Sequence, residues 1–440
     1  MSSIAHLPRR SFTQDMPGAA LACILRPVHA VLAAPESLFL VTLSLMLFHP
    51  PDVPIHSLDR ISLALLVLVV LVRAWTAPQP LRLTARATWP MLLLTALAFF
   101  DAIRQPYTPE TWSLFVAKWL APFVLFHAAA LVFDDQTACR RFETYGLIVL
   151  AYLSAIAVLF LADARPLIFP PYILNEGLGI HADRARGPFL QAVANGMALN
   201  LLGLLALDSY RRKRLRGLAA LLLLAALPAA VLATRTRAVW LSFAASIGML
   251  FWFSADRRLR RACLCLVFAG VLGLLAALTL SDGGRSFSDR LEESGPVKFR
   301  LAVYEAGWEM FEQKPLSGWG AIAMKQELSD RISDFHQEEY YFHNTYLEVL
   351  VQYGLPGLGL YVWMAIELFR LGRRRMPELQ VAGAFADEGF RSLWLVLLAV
   401  YLLNGTFVVM NYQFVNGLLF TLAGMLLAQE RQSEASNASG

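Results

Sequence analysis

The chain is expected to fold as an all-α, polytopic integral membrane protein with about twelve transmembrane helices. Three observations predict this. First, only 16% of its 440 residues are charged and 57% are hydrophobic, with a mean hydropathy of +0.52. Soluble domains carry about a quarter charged residues. Second, apolar runs of about 20 residues recur, the length a helix needs to cross a bilayer. Runs such as Leu63 to Val72 and Leu221 to Leu232 are apolar on every side, whereas the strands of a β-barrel alternate. Third, basic residues cluster in every second connection between the runs.

In order, the spans fall at about 31–49, 58–75, 87–103, 111–133, 144–163, 188–207, 217–234, 238–254, 261–281, 345–369, 389–410 and 412–429. The least marked breaks are Thr234–Arg237 and the one near Asn411. The opening MSSIAHLPRRSFTQDMPG is too polar for a signal peptide, so the first span is expected to be retained. The tail QERQSEASNASG reads as disordered. The whole chain, 1–440, reads as one membrane domain, with a long polar loop at 282–344 between spans nine and ten.

With the N-terminus inside, the inside segments carry Arg9, Arg10 and Arg26; Arg73, Arg82 and Arg86; Arg140 and Arg141; Arg211, Arg212, Lys213, Arg214 and Arg216; Arg257, Arg258, Arg260 and Arg261; and Arg370, Arg373, Arg374, Arg375 and Arg391. The short outside loops near Pro50 and Gln105 carry almost none. This is the positive-inside pattern. It places both termini in the cytoplasm and the 282–344 loop outside, in the periplasm for a bacterial protein. The net charge of +5 then records topology, and no nucleic-acid partner is expected.

Some arginines break the trend. Arg184, Arg186, Arg235, Arg237, Arg285, Arg290 and Arg300 all fall on the outer side. They work against the orientation signal, so another role should retain them.

Within the long loop, residues 296–313 read as a helix that Pro296 opens and Pro315 stops. Arg300, Tyr304, Trp308 and Phe311 share one face of it. An interfacial helix with aromatic anchors and a snorkelling arginine explains that face equally. At the loop's end stands His343. Thr345 and Glu348 form a T-x-x-E capping box for the tenth span. The helix dipole and the outer arginines would then keep the imidazole neutral. Glu338 and Glu339 would oppose this if they turned inward. A plain surface histidine is the competing reading.

Lys118, His127 and Glu36 fall in or near spans, with no partner evident in sequence. The cysteines are Cys23, Cys139, Cys263 and Cys265. The Cys263-x-Cys265 pair has no second pair, so all four are expected to be reduced and no zinc site is expected. No P-loop, GxGxxG, HExxH or metal-ligand cluster occurs, and neither a metal nor a cofactor is expected.

One ordered set of motifs goes further. Arg300, a Trp-bearing helix, Pro315-Leu316-x-Gly318-x-Gly320, His343-Asn344-x-Tyr346-Leu347-Glu348 and Tyr353-Gly354-Leu355-Pro356-Gly357 together resemble the O-antigen ligase family. That family also holds O-antigen polymerases and bacterial O-oligosaccharyltransferases. The resemblance runs over roughly 180–360. Arg184-Ala-Arg186-Gly187-Pro188-Phe189, followed by Asn195 and Asn200, resembles the family's order of Arg, Gly, Phe and Asn, and either arginine fits. Thr236-Arg237-Ala238-Val239-Trp240 is similar to its Ser-Arg-Gly-Ala-Trp, with Thr236 for Ser, Ala238 for Gly and Val239 for Ala.

The resemblance implies a periplasmic glycosyltransferase that uses an undecaprenyl-diphosphate-linked glycan as donor. His343 would be the general base, and Arg184, Arg186, Arg237 and Arg300 would bind the diphosphate, because guanidinium stays charged and grips two oxygens at once. Three acceptors compete: a lipid A-core for a ligase, a protein for an oligosaccharyltransferase, and a growing glycan for a polymerase. Polymerases typically show Arg-x10-Gly patterns, but Met197 follows Arg186 and Phe311 follows Arg300 at that spacing. The chain also stops soon after its last span. Both features favour the ligase. A transporter or flippase is the alternative of another class; it would gather polar features near the midplane in related halves, and here they gather at one face.

Overall fold

A computed structural model describes residues 34–48, 58–76, 85–280, 295–332, 341–373, 385 and 387–439. The expectations placed on Arg9, Arg10, Cys23, Arg26, Pro50, Arg82, Arg285, Arg290, Glu338, Glu339, Arg374 and Arg375 lie outside these residues.

Among the described residues the structure is helical and contains no strand. Its helices are α1 (Pro35–Leu47), α2 (Leu58–Thr76), α3 (Thr88–Arg104), α4 (Pro109–Val132), α5 (Gln136–Leu161), α6 (Ala192–Arg211), α7 (Gly217–Ala233), α8 (Arg237–Phe253), α9 (Arg257–Leu280), α10 (Gly295–Gln313), α11 (Ala321–Arg331), α12 (Thr345–Arg373), α13 (Glu388–Gly405) and α14 (Gln413–Ser439). Each of the twelve apolar segments lies on one of them. Four are long and apolar enough to cross a membrane by themselves: α4, α5, α6 and α12. α1, α7, α8 and α13 are apolar but shorter. The protein is a multi-pass membrane protein by these helices. Outward-facing Leu65, Leu68 and Leu71 on α2, and Leu264, Val267, Phe268 and Val271 on α9, suit a lipid surround.

Local chemistry moved several helix ends. α5 starts eight residues before the apolar run, because Asp135 accepts from Thr137 N at 2.6 Å and Ala138 N at 2.7 Å and caps it there. α6 begins only at Ala192; a short 3-10 turn, Gly187–Phe189, precedes it. Both faint breaks are real. Three residues separate α7 from α8, and residues 406–412 separate α13 from α14.

α6 is the central helix, and nearly all its side chains are buried. Around it one large apolar core joins α1 to α9 with α12, α13 and α14. The polar excursion between α9 and α12 has a second, smaller core of its own. Phe299, Val303, Ala306 and Met310 of α10 meet Met324 and Leu328 of α11, together with Phe342 and Val351. The face of α10 that packs is therefore one position away from the aromatic face read in the sequence. Trp308 remains 53% exposed, while Tyr304 and Phe311 are half-buried at the flank.

The excursion docks on a break in α12. Gly354 adopts φ 67°, ψ −166°, which interrupts the helix. The turn 315–320 then supplies partners to the exposed backbone. Trp319 N donates to Val351 O at 3.0 Å, Gly320 N to Gln352 O at 3.0 Å, and Leu355 N to Pro315 O at 2.8 Å. In a membrane such groups cannot be left unpaired. Gly318, at φ 67°, is required twice over: the angle is left-handed, and a Cβ there would collide with Gln352 O. The two glycine-rich motifs of the sequence are thus two halves of one joint.

Candidate active site at one end of the helical bundle

His343 sits between two anchors. On its N-terminal side Phe342 is 1% exposed and fills the second core, packed against Gly307. On its C-terminal side α12 begins. The cap there is not the predicted Thr345–Glu348 box. Asn344 Oδ1 accepts from Tyr346 N at 2.9 Å and from Leu347 N at 3.1 Å, so Asn344 is the N-cap. Thr345 turns its fully buried hydroxyl to Val408 O at 2.8 Å and accepts from Met410 N at 3.0 Å. Glu348 pairs with Lys118 at 2.6 Å. The T-x-x-E pattern failed because both its side chains found tertiary partners, and Asn is a better cap than Thr.

Held between these anchors, His343 takes φ 51°, an uncommon angle for a residue with a Cβ. Its ring meets Phe299 edge-to-face at 6.1 Å. Among the described residues nothing hydrogen-bonds the imidazole. Burial, and then the charge of Arg300, hold its pKa down to about 4. The sequence expected a neutral histidine from the dipole and the arginines; burial is the larger cause.

The hub of this end is the loop 406–412, which the sequence showed only as a faint break. It holds Thr345, as above. Thr406 O lies 3.4 Å from the Tyr304 hydroxyl of α10. Just beyond it, Phe414 packs at a tilt against Phe189, with ring centroids 5.7 Å apart, which ties in the segment after Arg184 and Arg186. That segment is joined to the end of α7 by Ala185 N donating to Ala233 O at 3.1 Å. The regions of Arg184, Arg186, Arg237, Arg300 and His343 therefore gather at one end of the bundle.

The arginines there are not alike. Arg186 is 1% exposed, and its guanidinium donates to Ile173 O at 2.9 Å, Leu178 O at 2.5 Å and Asn175 O at 2.5 Å. It ties the 173–178 loop down from inside, so three backbone carbonyls take the fork that the resemblance assigns to the diphosphate. Arg184 is buried, with Nε 3.8 Å from Asp183 Oδ2. Arg237 opens α8 and is exposed. Arg235, at φ 46°, reaches back to Asp183 O at 3.4 Å. Arg300 is half-buried beside His343.

The intramembrane ionisable groups also have partners, all invisible in sequence. Lys118 pairs with Glu348, His127 meets Thr88 Oγ1 at 3.0 Å, and Glu36 pairs with Arg141. Asp101 of α3 and Gln105 just after it receive the first N–H groups of α11: Ala321 N reaches Asp101 Oδ2 at 3.1 Å and Ile322 N reaches Gln105 Oε1 at 2.6 Å. The turn near Gln105 and the polar excursion thus share a side, as the charge alternation requires.

No curated protein matches the chain. Residues 219–362 match a family described as O-antigen ligase. They run from α7 through the excursion to α12, and include Arg237, Arg300 and His343 with the joint that positions them. Over these residues the chain is similar to the O-antigen ligase family, a likeness that supports glycosyltransferase chemistry of the ligase or polymerase type.

Proposed function

We propose that the protein transfers a glycan from undecaprenyl diphosphate to the lipid A-core oligosaccharide, at the periplasmic face of a Gram-negative inner membrane. The observation that carries this reading is His343: an imidazole kept neutral by burial and by Arg300, at the end of the bundle where the outer arginines gather.

In this mechanism an acceptor hydroxyl gives its proton to His343 as its oxygen attacks the anomeric carbon. The bond from that carbon to the phosphate oxygen breaks, and the lipid diphosphate leaves with the electron pair. Arg184, Arg237 and Arg300 hold the diphosphate and stabilise its added charge. Arg186 supports them by fixing the loop that carries Arg184. The donor's negative charge raises the imidazole from about 4 towards neutrality and so makes it a stronger base when the donor is bound. A single displacement inverts the anomeric configuration, and no metal is needed for charge neutralisation. Both termini lie in the cytoplasm.

The test offers purified protein an undecaprenyl-diphosphate glycan with, separately, a lipid A-core, a pilin-like protein, or more donor alone. The expected product is glycan on the lipid A-core, with inverted configuration and with chelator present. Transfer only to protein or only to donor would replace the ligase with the oligosaccharyltransferase or the polymerase. Retained configuration would remove the single displacement.

A further inference from the structure

A cavity of about 60 Å³ lies between α3, α4, α11 and the first turns of α12, bordered by Asp101, Lys118, Tyr341, Glu348, Gln352 and Asn411. It has room for on the order of four or five water-sized groups. Lys325, 35% exposed, stands at its rim, so it reaches the surface. It is one residue from the base, since Phe342 also borders it.

The lining is built around Lys118. α4 carries a π-helical turn at Val116–Leu120, where Ala121 N donates to Val116 O, five residues back. Such turns are rare and concentrate at functional sites. The ammonium it presents is 7% exposed and lies over Trp119 at 5.3 Å. Among the described residues its one hydrogen bond goes to Glu348, which leaves two N–H donors. Gln352 uses its amide N–H groups on Asp101 Oδ2 at 3.0 Å and the Tyr353 hydroxyl at 2.9 Å, which leaves its oxygen as an acceptor. The Asn411 side-chain amide is engaged by no described residue. The cavity thus offers unspent donors and acceptors side by side. Its ammonium groups are already paired, Lys118 with Glu348 and Lys325 with Glu110, and Asp101 adds a carboxylate. That disfavours an anion such as the diphosphate and suits a neutral ligand whose every polar group both donates and accepts.

We propose that this cavity is a saccharide subsite, binding the hydroxyls of a sugar ring adjacent to the reacting one. This rests on the transferase reading above. The sugar belongs either to the donor glycan or to the acceptor, and the test separates the two.

In the full-length protein, with His343→Ala to prevent turnover, Asn411→Cys is introduced and its maleimide-labelling rate is measured over the background of exposed Cys265. The arms are the undecaprenyl-diphosphate glycan, the lipid A-core, the same glycans released from lipid, and undecaprenyl diphosphate without sugar. One glycan-bearing arm is expected to slow labelling about tenfold, and the sugar-free lipid not at all. The protecting arm names the source. Equal rates in every arm, or protection by the sugar-free lipid, would overturn the subsite. With His343 intact, Asn411→Ala is expected to raise KM for that partner about tenfold at unchanged kcat; an unchanged KM would equally count against it. Transfer by wild-type protein without protection removes only the subsite. Absence of transfer to any acceptor removes the transferase reading instead.

Discussion

α6 has arginines at both ends, roughly 30 Å apart at 1.5 Å per residue, and they keep different company. At its C-terminal end Arg212 donates to Asp208 at 2.7 Å and to Glu143 at 2.8 Å; its side chain is 1% exposed. Arg211 joins Asp208 at 2.6 Å and also Asp387, and Arg214 reaches Glu143 at 3.0 Å. Two helices, α5 and α6, the turn after α6 and the segment before α13 are clamped there by charges that cancel. At the other end Arg186 donates to neutral carbonyls, and Arg300 stands beside a neutral imidazole. Neither has a carboxylate in contact among the described residues. One residue type therefore serves two purposes. Cancelled charge makes a structural clamp, whereas charge left over, as at Arg300, would favour an anion. The sequence shows seven arginines on one side and many on the other, but it does not show which are spent.

The strongest way to break this contrast is at His343. His343→Ala is expected to lower turnover by about 10²–10⁴ while the donor still binds. Near-normal transfer by a well-expressed variant would remove His343 from the chemistry.

The arginines come next. Arg300→Ala is expected to cost about 10²–10³ in turnover, weaken donor binding and leave thermal stability nearly unchanged. Arg300→Lys should recover only part, since an ammonium lacks the two-pronged grip. Arg212→Met should do the reverse. It leaves Asp208 and Glu143 buried without their partner and destabilises the fold by about 3–5 kcal/mol. Thermal unfolding in detergent, run beside turnover, separates the two. Equal loss of stability in both variants would erase the distinction between the ends.

A smaller effect sharpens the electrostatics. With the imidazole held down to about 4, His343 stays unprotonated until the pH falls through that value. The acid limb of kcat/KM, which reports the free protein, should therefore lie near 4 and not near 6.5. Arg300→Gln removes the second cause and should move that limb upward. The stability sign follows from the same shift. The unfolded chain takes up the proton near 6.5 and the folded one only near 4, so folding loses stability as pH falls between those values. A limb at 6.5 in the unaltered protein would show that burial does not act on His343.

The smallest effect belongs to the cap. Asn344→Ala should cost about 1 kcal/mol and reduce turnover a few-fold by loosening the start of α12. If Asn344→Ala proved harmless, the cap would not lie at Asn344 and the predicted capping box would be restored.

Much of this was legible in the chain because it depends on neighbours in sequence. The twelve apolar segments, the helix at 296–313 and the motif that marks His343 need only local periodicity, proline placement and residue order. Three-dimensional contacts decided the rest, because the deciding partners are far apart. Lys118 and Glu348 are separated by 230 positions, and Thr345 and Met410 by 65. Thr345 makes an acceptable cap locally, but a hydroxyl buried in an apolar bundle must bond whatever carbonyl the fold brings to it, and here that is Val408. The same holds for Arg186. Its position before α6 was plain, but only the fold reveals that three carbonyls of a looped-back segment take the guanidinium.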